Sequence, residues 1–407
     1  MHLRRYQGLL NNIAGVEKLC TGCKACYNGC PINAIEMKKN KNGFTYPSVK
    51  ESCINCGKCV KICPALHDIV RKEKTEIDSF AALNVDKEEI KLSSSGGIFL
   101  KTAKYVINEL SGVVFGTVYT DELKVRVQKA DKEAELYKMA GSKYVYSDVG
   151  TTYREVEKEL KAGRVVLFSG VSCQIAGLYH YLGKEYSKLI SLEVLCHGAP
   201  SQDLFDKYLH HMQRKHKNKI ISINQRDKSK PWNPLITKLI RIDFENKTMV
   251  RSEDFDPYMS FYIREFAYRD ACYECKYVGA NRTGDLVLGD FGGLGIMEKC
   301  SLKVDDGVSL LLINTKKGRE LLDQIEGIQM EKRNLNEVIK LNSCLRSHVK
   351  KPAVTESFVK DYAILSEDEL FDKYYYKNYS YRIRAVVKKL AFTFVGCDNI
   401  AKILLRK

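Results

Sequence analysis

No run in this chain approaches the ~18 consecutive apolar residues of a membrane span, although 44% of its 407 residues are apolar. The opening stretch MHLRRYQGLLNNIAGVEKLC has basic residues but lacks the apolar core of ~7 to 15 residues that a secretory signal needs. These absences give the expectation of a cytoplasmic protein, long enough for two or three domains with real cores. Acidic residues are short as well: 50 Asp+Glu stand against 66 Lys+Arg, a formal net charge of +16. Such an excess steers a protein towards polyanions. Here the lysines are spread along the whole chain, with no helix-turn-helix or RNA-stacking signature. The reading is therefore no nucleic-acid partner; an acidic redox protein or an anionic substrate suits the charge instead. Neither a GxGxxG nor a Walker fingerprint is present.

Cysteine is plentiful, with 15 residues. In a reducing compartment these are metal ligands or core residues rather than disulfides. CTGCKACYNGCP, from Cys20 to Pro31, and CINCGKCVKICP, from Cys53 to Pro64, both read C-x2-C-x2-C-x3-C-P. That is the bacterial ferredoxin spacing, in which the fourth cysteine of each run ligates the other cluster. The predicted ligand sets are Cys20, Cys23, Cys26 with Cys63, and Cys53, Cys56, Cys59 with Cys30, with Pro31 and Pro64 ending the loops. A structural zinc site also favours CxxC pairs, but it closes with four ligands, whereas eight fall here into two identical fours. The expectation is two 4Fe-4S clusters in a ferredoxin-type domain over residues 1–68.

The polar stretch ALHDIVRKEKTEIDS then predicts a linker over 69–78. Beyond it, VINELSGVVFGTVYT, AGRVVLFSG and GDLVLGDFGG read as glycine-punctuated buried strands alternating with helices. The fold class expected is an α+β ferredoxin-like two-cluster domain followed by a larger α/β body, in two parts at 79–160 and 161–326. In LSSSGGIFLKTAKYVI, three serines and two glycines precede a helical pattern. Free N–H groups at such a start suit a pyrophosphate; the alternative is helix capping by Ser95, and spacing does not separate the two. AGSKYVYSD adds a second small-residue turn.

The ordered motifs SSSGGIF, GSKYVYSD, VLFSGVSCQIAGL, VLCHGAPS, QRDKSKPWNP and CYECKYVGANRTGDLVLGDFGG resemble the beta-subunit family of coenzyme F-420-reducing hydrogenases and dehydrogenases, from about Cys20 to about Asn314. The same motifs are similar to those of hydroxymethyl chlorophyll a reductases. The resemblance implies an iron–sulfur flavoprotein with bound FAD and an electron path from clusters to flavin. Carried over by motif, the implied FAD contacts are Ser94, Ser95, Gly96, Gly97, Ser142, Lys143 and Tyr144. Arg226, Lys228 and Trp232 resemble a family loop, whose cations suit the FAD phosphates or an anionic substrate; the alternative is a solvated loop anchored by Trp232.

Cys173 and Cys196 each sit in a glycine-containing loop after an apolar strand, and Cys272 and Cys275 form a CxxC. Together they are candidate ligands of a third 4Fe-4S cluster, which the resemblance supports; an Asp in place of one cysteine is the alternative. His197 is a candidate proton donor, with shaping of the cluster loop as its other reading. Asp285 and Asp290 read as turn residues, and Cys300, Cys344 and Cys397 as small hydrophobes or exposed thiols.

The reaction expected is reduction or oxidation of a small molecule, with a ferredoxin or another redox protein as partner. No nickel–iron ligand pattern is present, so the chain alone does not activate hydrogen. Many stand-alone relatives of this family accompany surface-polysaccharide genes, so the resemblance implies a sugar derivative or a polysaccharide precursor as substrate. The alternative function is a non-catalytic electron-transfer subunit. Residues 327–407 read as a basic helical extension that packs back on the body, or else rests peripherally on a membrane surface.

Overall fold

The computed structural model describes residues 11–67, 76–229, 238–294, 298–305 and 307–395, with side chains up to residue 391. Trp232, Cys397 and most of the expected linker lie outside the described residues.

The N-terminal unit is built on the cysteine repeat. A helix at Ala25–Gly29 leads into an antiparallel hairpin, β1 (Ile35–Lys39) and β2 (Thr45–Val49), followed by a short helix at Lys58–Lys61. The two cysteine loops share a backbone conformation. Gly22 and Asn55, equivalent in the repeat, are left-handed at φ 77° and 51°, and so are the equivalent Lys24 and Gly57 at 61° and 70°. Each left-handed pair turns the loop tightly enough to aim three cysteines inward.

The body is a mixed eight-stranded sheet. Its strands are β3 (Asp78–Asn84), β4 (Val113–Tyr119), β5 (Val125–Ala130), β6 (Val166–Val171) and β7 (Leu189–Val194). Three more follow a separate antiparallel sheet made of β8 (Ile220–Asp227), β9 (Leu239–Phe244) and β10 (Thr248–Ser252). These are β11 (Leu286–Asp290), β12 (Ser309–Ile313) and β13 (Ile328–Lys332). The order is β13-β3-β12-β11-β7-β6-β4-β5, parallel from β11 to β4 and antiparallel at both flanks.

The central strands are apolar on both faces because helices cover both. Leu167 of β6 packs towards the helices Ile98–Asn108 and Glu133–Met139, while its neighbours Val166 and Phe168 pack towards Thr152–Lys161 and Ser172–Leu182. All four parallel strands therefore deliver their carboxyl ends to one edge of the sheet, where ligands of open α/β sheets bind.

The two parts of the body share one sheet, and two expected boundaries shift. Asp78, placed in the linker, already pairs with Ile313. The expected helical extension opens with β13, which pairs antiparallel with β3 from Ile328 opposite Asn84. It continues with helices whose Phe358, Tyr362, Phe371 and Tyr374 enter a core with Phe205, Tyr208 and Phe261. Aromatic burial, rather than charge, decides where that segment goes.

Candidate functional site

Cys20, Cys23, Cys26 and Cys63 line one small cavity of the N-terminal unit, and Cys30, Cys53, Cys56 and Cys59 line another. None of the described cysteines is in a disulfide. Among the described residues no three His, Cys, Asp or Glu side chains converge on a single metal ion; the quartets surround spaces instead. Eight thiols arranged as two wrapped fours are a donor set that fits two cubane clusters.

The quartets differ in depth. Cys23, Cys26 and Cys63 are buried, whereas Cys56 is exposed, so the first quartet faces the body and the second faces outward. Burial, followed by the charge of Cys63, pushes the Cys23 thiol up to about 12.

The docking of this unit is specific. Cys23 lies against Gly177 in the helix Ser172–Leu182, where an added Cβ would stand 2.9 Å from the Cys23 Cβ and 3.0 Å from its sulfur. Arg154 donates to the carbonyls of Asn28 (2.8 Å) and Tyr27 (3.1 Å), and Lys24 pairs with Asp148 at 2.5 Å. Arg269 donates to the carbonyl of Thr45 at 3.2 Å, with its guanidinium over the rings of Phe44, Tyr46 and Tyr146.

Across that contact lies a cavity of about 1040 Å³, lined by Cys173, Cys196, Cys272 and Cys275. Cys173 stands in the first turn after β6, Cys196 two residues after β7, and the CxxC spans the end of the short helix Asp270–Tyr273. The structure thus brings together four cysteines far apart in sequence, at the carboxyl edge of the sheet. Burial raises all four thiols, Cys196 to about 12 and Cys272 to about 11, and the charge of neighbouring cysteines adds to the effect at Cys173, Cys196 and Cys272. Such thiols become thiolates when a cation binds them. Tyr277 joins the two regions: burial raises its hydroxyl first, then the charges of Cys173 and Cys23 on either side.

One buried network backs this quartet and was not singled out from sequence. Arg282 donates to Glu193 (2.6 Å), to the Ser172 hydroxyl (2.8 Å) and to the Tyr277 carbonyl. Glu193 also accepts the N–H groups of Thr283 and Gly284, both at 2.8 Å. The only trace in the sequence was the run ANRTGD, which follows the CxxC.

A second cavity, about 290 Å³, shares Tyr146, Val171, Cys344 and the loop Cys196–Ala199 with the first. Ser94, Ser95, Gly97, Ser142, Lys143, Tyr144, Arg226 and His197 all line it. Gly96 and Lys228 do not. Gly96 is wedged against the sheet, where a Cβ would meet the Ala82 carbonyl oxygen at 2.4 Å, and Lys228 donates to the carbonyls of Ile90 and Ser95, both at 2.7 Å.

Lys143 lines the cavity while its ammonium donates to the carbonyls of Lys138, Met139, Ala140 and Gly141 at 2.9 to 3.1 Å, closing the end of a helix. The Ser95 hydroxyl donates to the Val308 carbonyl at 2.7 Å. The helix Ile98–Asn108 therefore starts at Gly97 with no side-chain cap, and its first residues line the cavity. Small residues and an uncapped helix start fit a phosphate-bearing ligand.

Arg226 grips Asp290 with both nitrogens (2.7 and 3.1 Å), the Tyr144 hydroxyl (2.9 Å) and the Ser94 carbonyl (2.6 Å). Burial acts to raise the Asp290 carboxyl, but Arg226 together with the charges of Lys238 and Lys228 outweighs it and holds the group below the usual range. Asp285 accepts from the Ser191 N–H at 2.8 Å and the Thr315 hydroxyl at 2.9 Å. Cys300 lies 3.7 Å from Glu331, away from both large cavities, while Cys344 is buried in their common wall.

His197 borders both cavities, its Nδ1 3.4 Å from the Ser343 hydroxyl. Burial, and then the charge of Lys238, lower its pKa. Lys238 is the site residue that sequence reasoning missed. It lines the second cavity 5.7 Å from the Tyr144 ring, and among the described residues its ammonium makes no hydrogen bond or ion pair. No motif marks it.

A dicluster ferredoxin unit docked on the carboxyl edge of a mixed α/β sheet defines an iron–sulfur redox protein. Residues 163–338 match the model for the C terminus of the coenzyme F-420 hydrogenase/dehydrogenase beta subunit, and residues 19–66 match a 4Fe-4S dicluster domain. Residues 163–338 thus belong to this beta-subunit family, and residues 19–66 to the dicluster ferredoxins. Curated relatives match the chain over short stretches. An uncharacterized ferredoxin of Methanocaldococcus jannaschii is 35% identical over 60 residues, 14% of this chain and 78% of that protein. The ferredoxin-type protein NapF of Haemophilus influenzae is 42% identical over 43 residues, 10% of this chain and 24% of that one. Among solved structures, a chain of the F-420-reducing nickel–iron hydrogenase complex of Methanosarcina barkeri is similar with a TM-score of 0.44 and 17% identity, over 73% of this chain and 90% of that chain.

Proposed function

We propose that the protein is an iron–sulfur flavoprotein oxidoreductase with three 4Fe-4S clusters and FAD. The observation that carries this reading is the shared wall: the loop Cys196–Ala199 borders both the cysteine-lined cavity and the serine- and glycine-lined one. Cys30, Cys53, Cys56 and Cys59 hold the outer cluster, Cys20, Cys23, Cys26 and Cys63 the inner one, and Cys173, Cys196, Cys272 and Cys275 the third. Ser94, Ser95, Gly97, Ser142 and Tyr144, with the uncapped helix start at Gly97, hold FAD. Clusters supply one-electron transfer and FAD couples it to two-electron chemistry on a small molecule.

The chain's own residues set the conditions for that chemistry. Arg282 keeps a positive charge behind the third quartet, and Arg269 does so between the N-terminal unit and the body. His197, neutral under ordinary conditions, gives or takes a proton at its ring beside the second cavity. Lys238 supplies a cation at the same end, which favours a substrate carrying a carboxylate or phosphate.

The family description names a subunit, which favours one other reading: a non-catalytic relay that wires a partner to a redox pool. Iron, acid-labile sulfide and released flavin per chain, measured on protein purified without oxygen, test the assignment. About twelve iron atoms and one FAD support it, on four iron atoms per cluster. About eight iron atoms remove the third cluster, and failure to take up FAD on reconstitution overturns the flavoprotein reading in favour of the relay.

A further inference from the structure

The helix Tyr379–Val395 has two faces of opposite character. One packs on the body: Ala385 is buried, Tyr381 meets the Tyr375 ring at 6.3 Å, and Lys388 pairs with Asp254 at 2.7 Å. The other carries Tyr379, Ile383, Val386, Val387 and Leu390, exposed by 67%, 62%, 46%, 58% and 49%. At ~100° per residue these five positions fall within an arc of about 100°. Arg384 lies on one margin of that arc, and Arg382 and Lys389 on the other, all three exposed. The helix contains no Asp or Glu.

A continuous apolar stripe facing solvent marks an interaction surface. What flanks it selects the occupant. A second copy of the same helix would bring like charges together at both margins. A purely acidic protein surface would satisfy the cations and leave the aliphatic stripe in water. An anionic bilayer satisfies both, because acyl chains receive the stripe and headgroup phosphates receive the cations. The net charge of +16 adds long-range attraction to such a surface. The sequence beyond the described helix, CDNIAKILLRK, adds further aliphatic residues with Lys402, Arg406 and Lys407 against one acidic residue, Asp398.

We propose that this face of the C-terminal helix docks the protein on an anionic membrane surface, lying in the interface without spanning it. Among the described residues no helix is long and apolar enough to cross a membrane. The proposal is independent of the flavoprotein reading.

Flotation of the full, cluster-loaded chain with vesicles tests it. The chain is expected to float with vesicles of phosphatidylglycerol and phosphatidylcholine, and weakly or not at all with phosphatidylcholine alone. Ile383→Asp with Val387→Asp is expected to lower the bound fraction at least about tenfold, with iron content and melting unchanged because both side chains are in solvent. Arg382→Gln with Arg384→Gln is expected to weaken binding to the anionic vesicles, as is raising the salt to about 0.5 M. The proposal is overturned if the unaltered chain stays with the aqueous fraction, if it floats equally with neutral vesicles, or if the Asp variant floats like the parent. It is also overturned if light scattering shows a dimer that the Asp variant converts to a monomer, since the occupant would then be a second copy.

Discussion

Arg282 and Glu193 have almost no contact with water, their side chains being 2% and 0% exposed. Removing one partner of such a pair leaves the other charge buried and uncompensated, at a cost of about 3–5 kcal/mol. Glu193 holds Arg282, Ser172 and two backbone N–H groups, and Ser172 precedes Cys173, a proposed ligand of the third cluster. Glu193→Gln is therefore expected to lower the melting temperature and, in protein that still folds, to reduce iron to about eight atoms per chain. Unchanged iron would detach the network from the third quartet.

Asp290 gives a prediction with a defined sign. Its carboxyl is held below the unfolded value of ~3.9, so its stabilising contribution is complete above that pH and is lost as pH falls through the folded value. Asp290→Asn is expected to flatten the acid limb of the stability profile, seen in chemical denaturation as pH falls below about 4. Lys238 works in a different currency, ligand charge. If it faces an anion as proposed, Lys238→Met should weaken inorganic phosphate or carboxylate binding to flavin-loaded protein by about tenfold, roughly one charge-assisted hydrogen bond, with FAD retained.

At the scale of elements, the helix Ser172–Leu182 carries two tasks: its first turn presents Cys173, and one turn later Gly177 receives Cys23. A methyl group at 177 meets the Tyr153 hydroxyl at 2.8 Å as well as Cys23, so neither side can relax alone. Gly177→Ala is expected to cost about 1–3 kcal/mol and to slow electron transfer from the N-terminal unit, measured by stopped-flow reduction; an unaltered rate would mean that the inner quartet does not face this helix.

Elements also show what the sequence could reveal. The grouping of the cysteines into two quartets was legible because the repeat encodes its loops locally, down to the matching left-handed positions at Gly22 and Asn55. Strands β4, β6 and β11 were legible as apolar, glycine-punctuated runs. β13 was not, because IQMEK is a five-residue edge strand, largely exposed, and too short for its alternation to stand out. The roles of Lys143 and Lys228 were illegible for another reason: which carbonyls a lysine reaches is decided by tertiary packing. Lys238 has no motif at all and became visible only through the cavity it lines.

At the scale of the whole molecule, the two units differ in how they are held together. The body has large aliphatic and aromatic cores on both faces of an eight-stranded sheet. The N-terminal unit's core consists of Ile13, Val16, Ile35, Val60, Ala65 and Leu66 with Cys26, Cys59 and Cys63. A unit of that size rarely folds on so few apolar side chains, and cluster ligation supplies the missing free energy. Stripping the iron with an oxidant and chelator is therefore expected to unfold the N-terminal unit first. Limited proteolysis should then cut within residues 11–67 while a fragment beginning near β3 persists, with its own cooperative melting transition. If both units resisted the protease equally after iron loss, the apolar docking against Gly177 and the Arg154 and Arg269 contacts would be sufficient to hold the N-terminal fold, and the clusters would be passengers rather than part of its core.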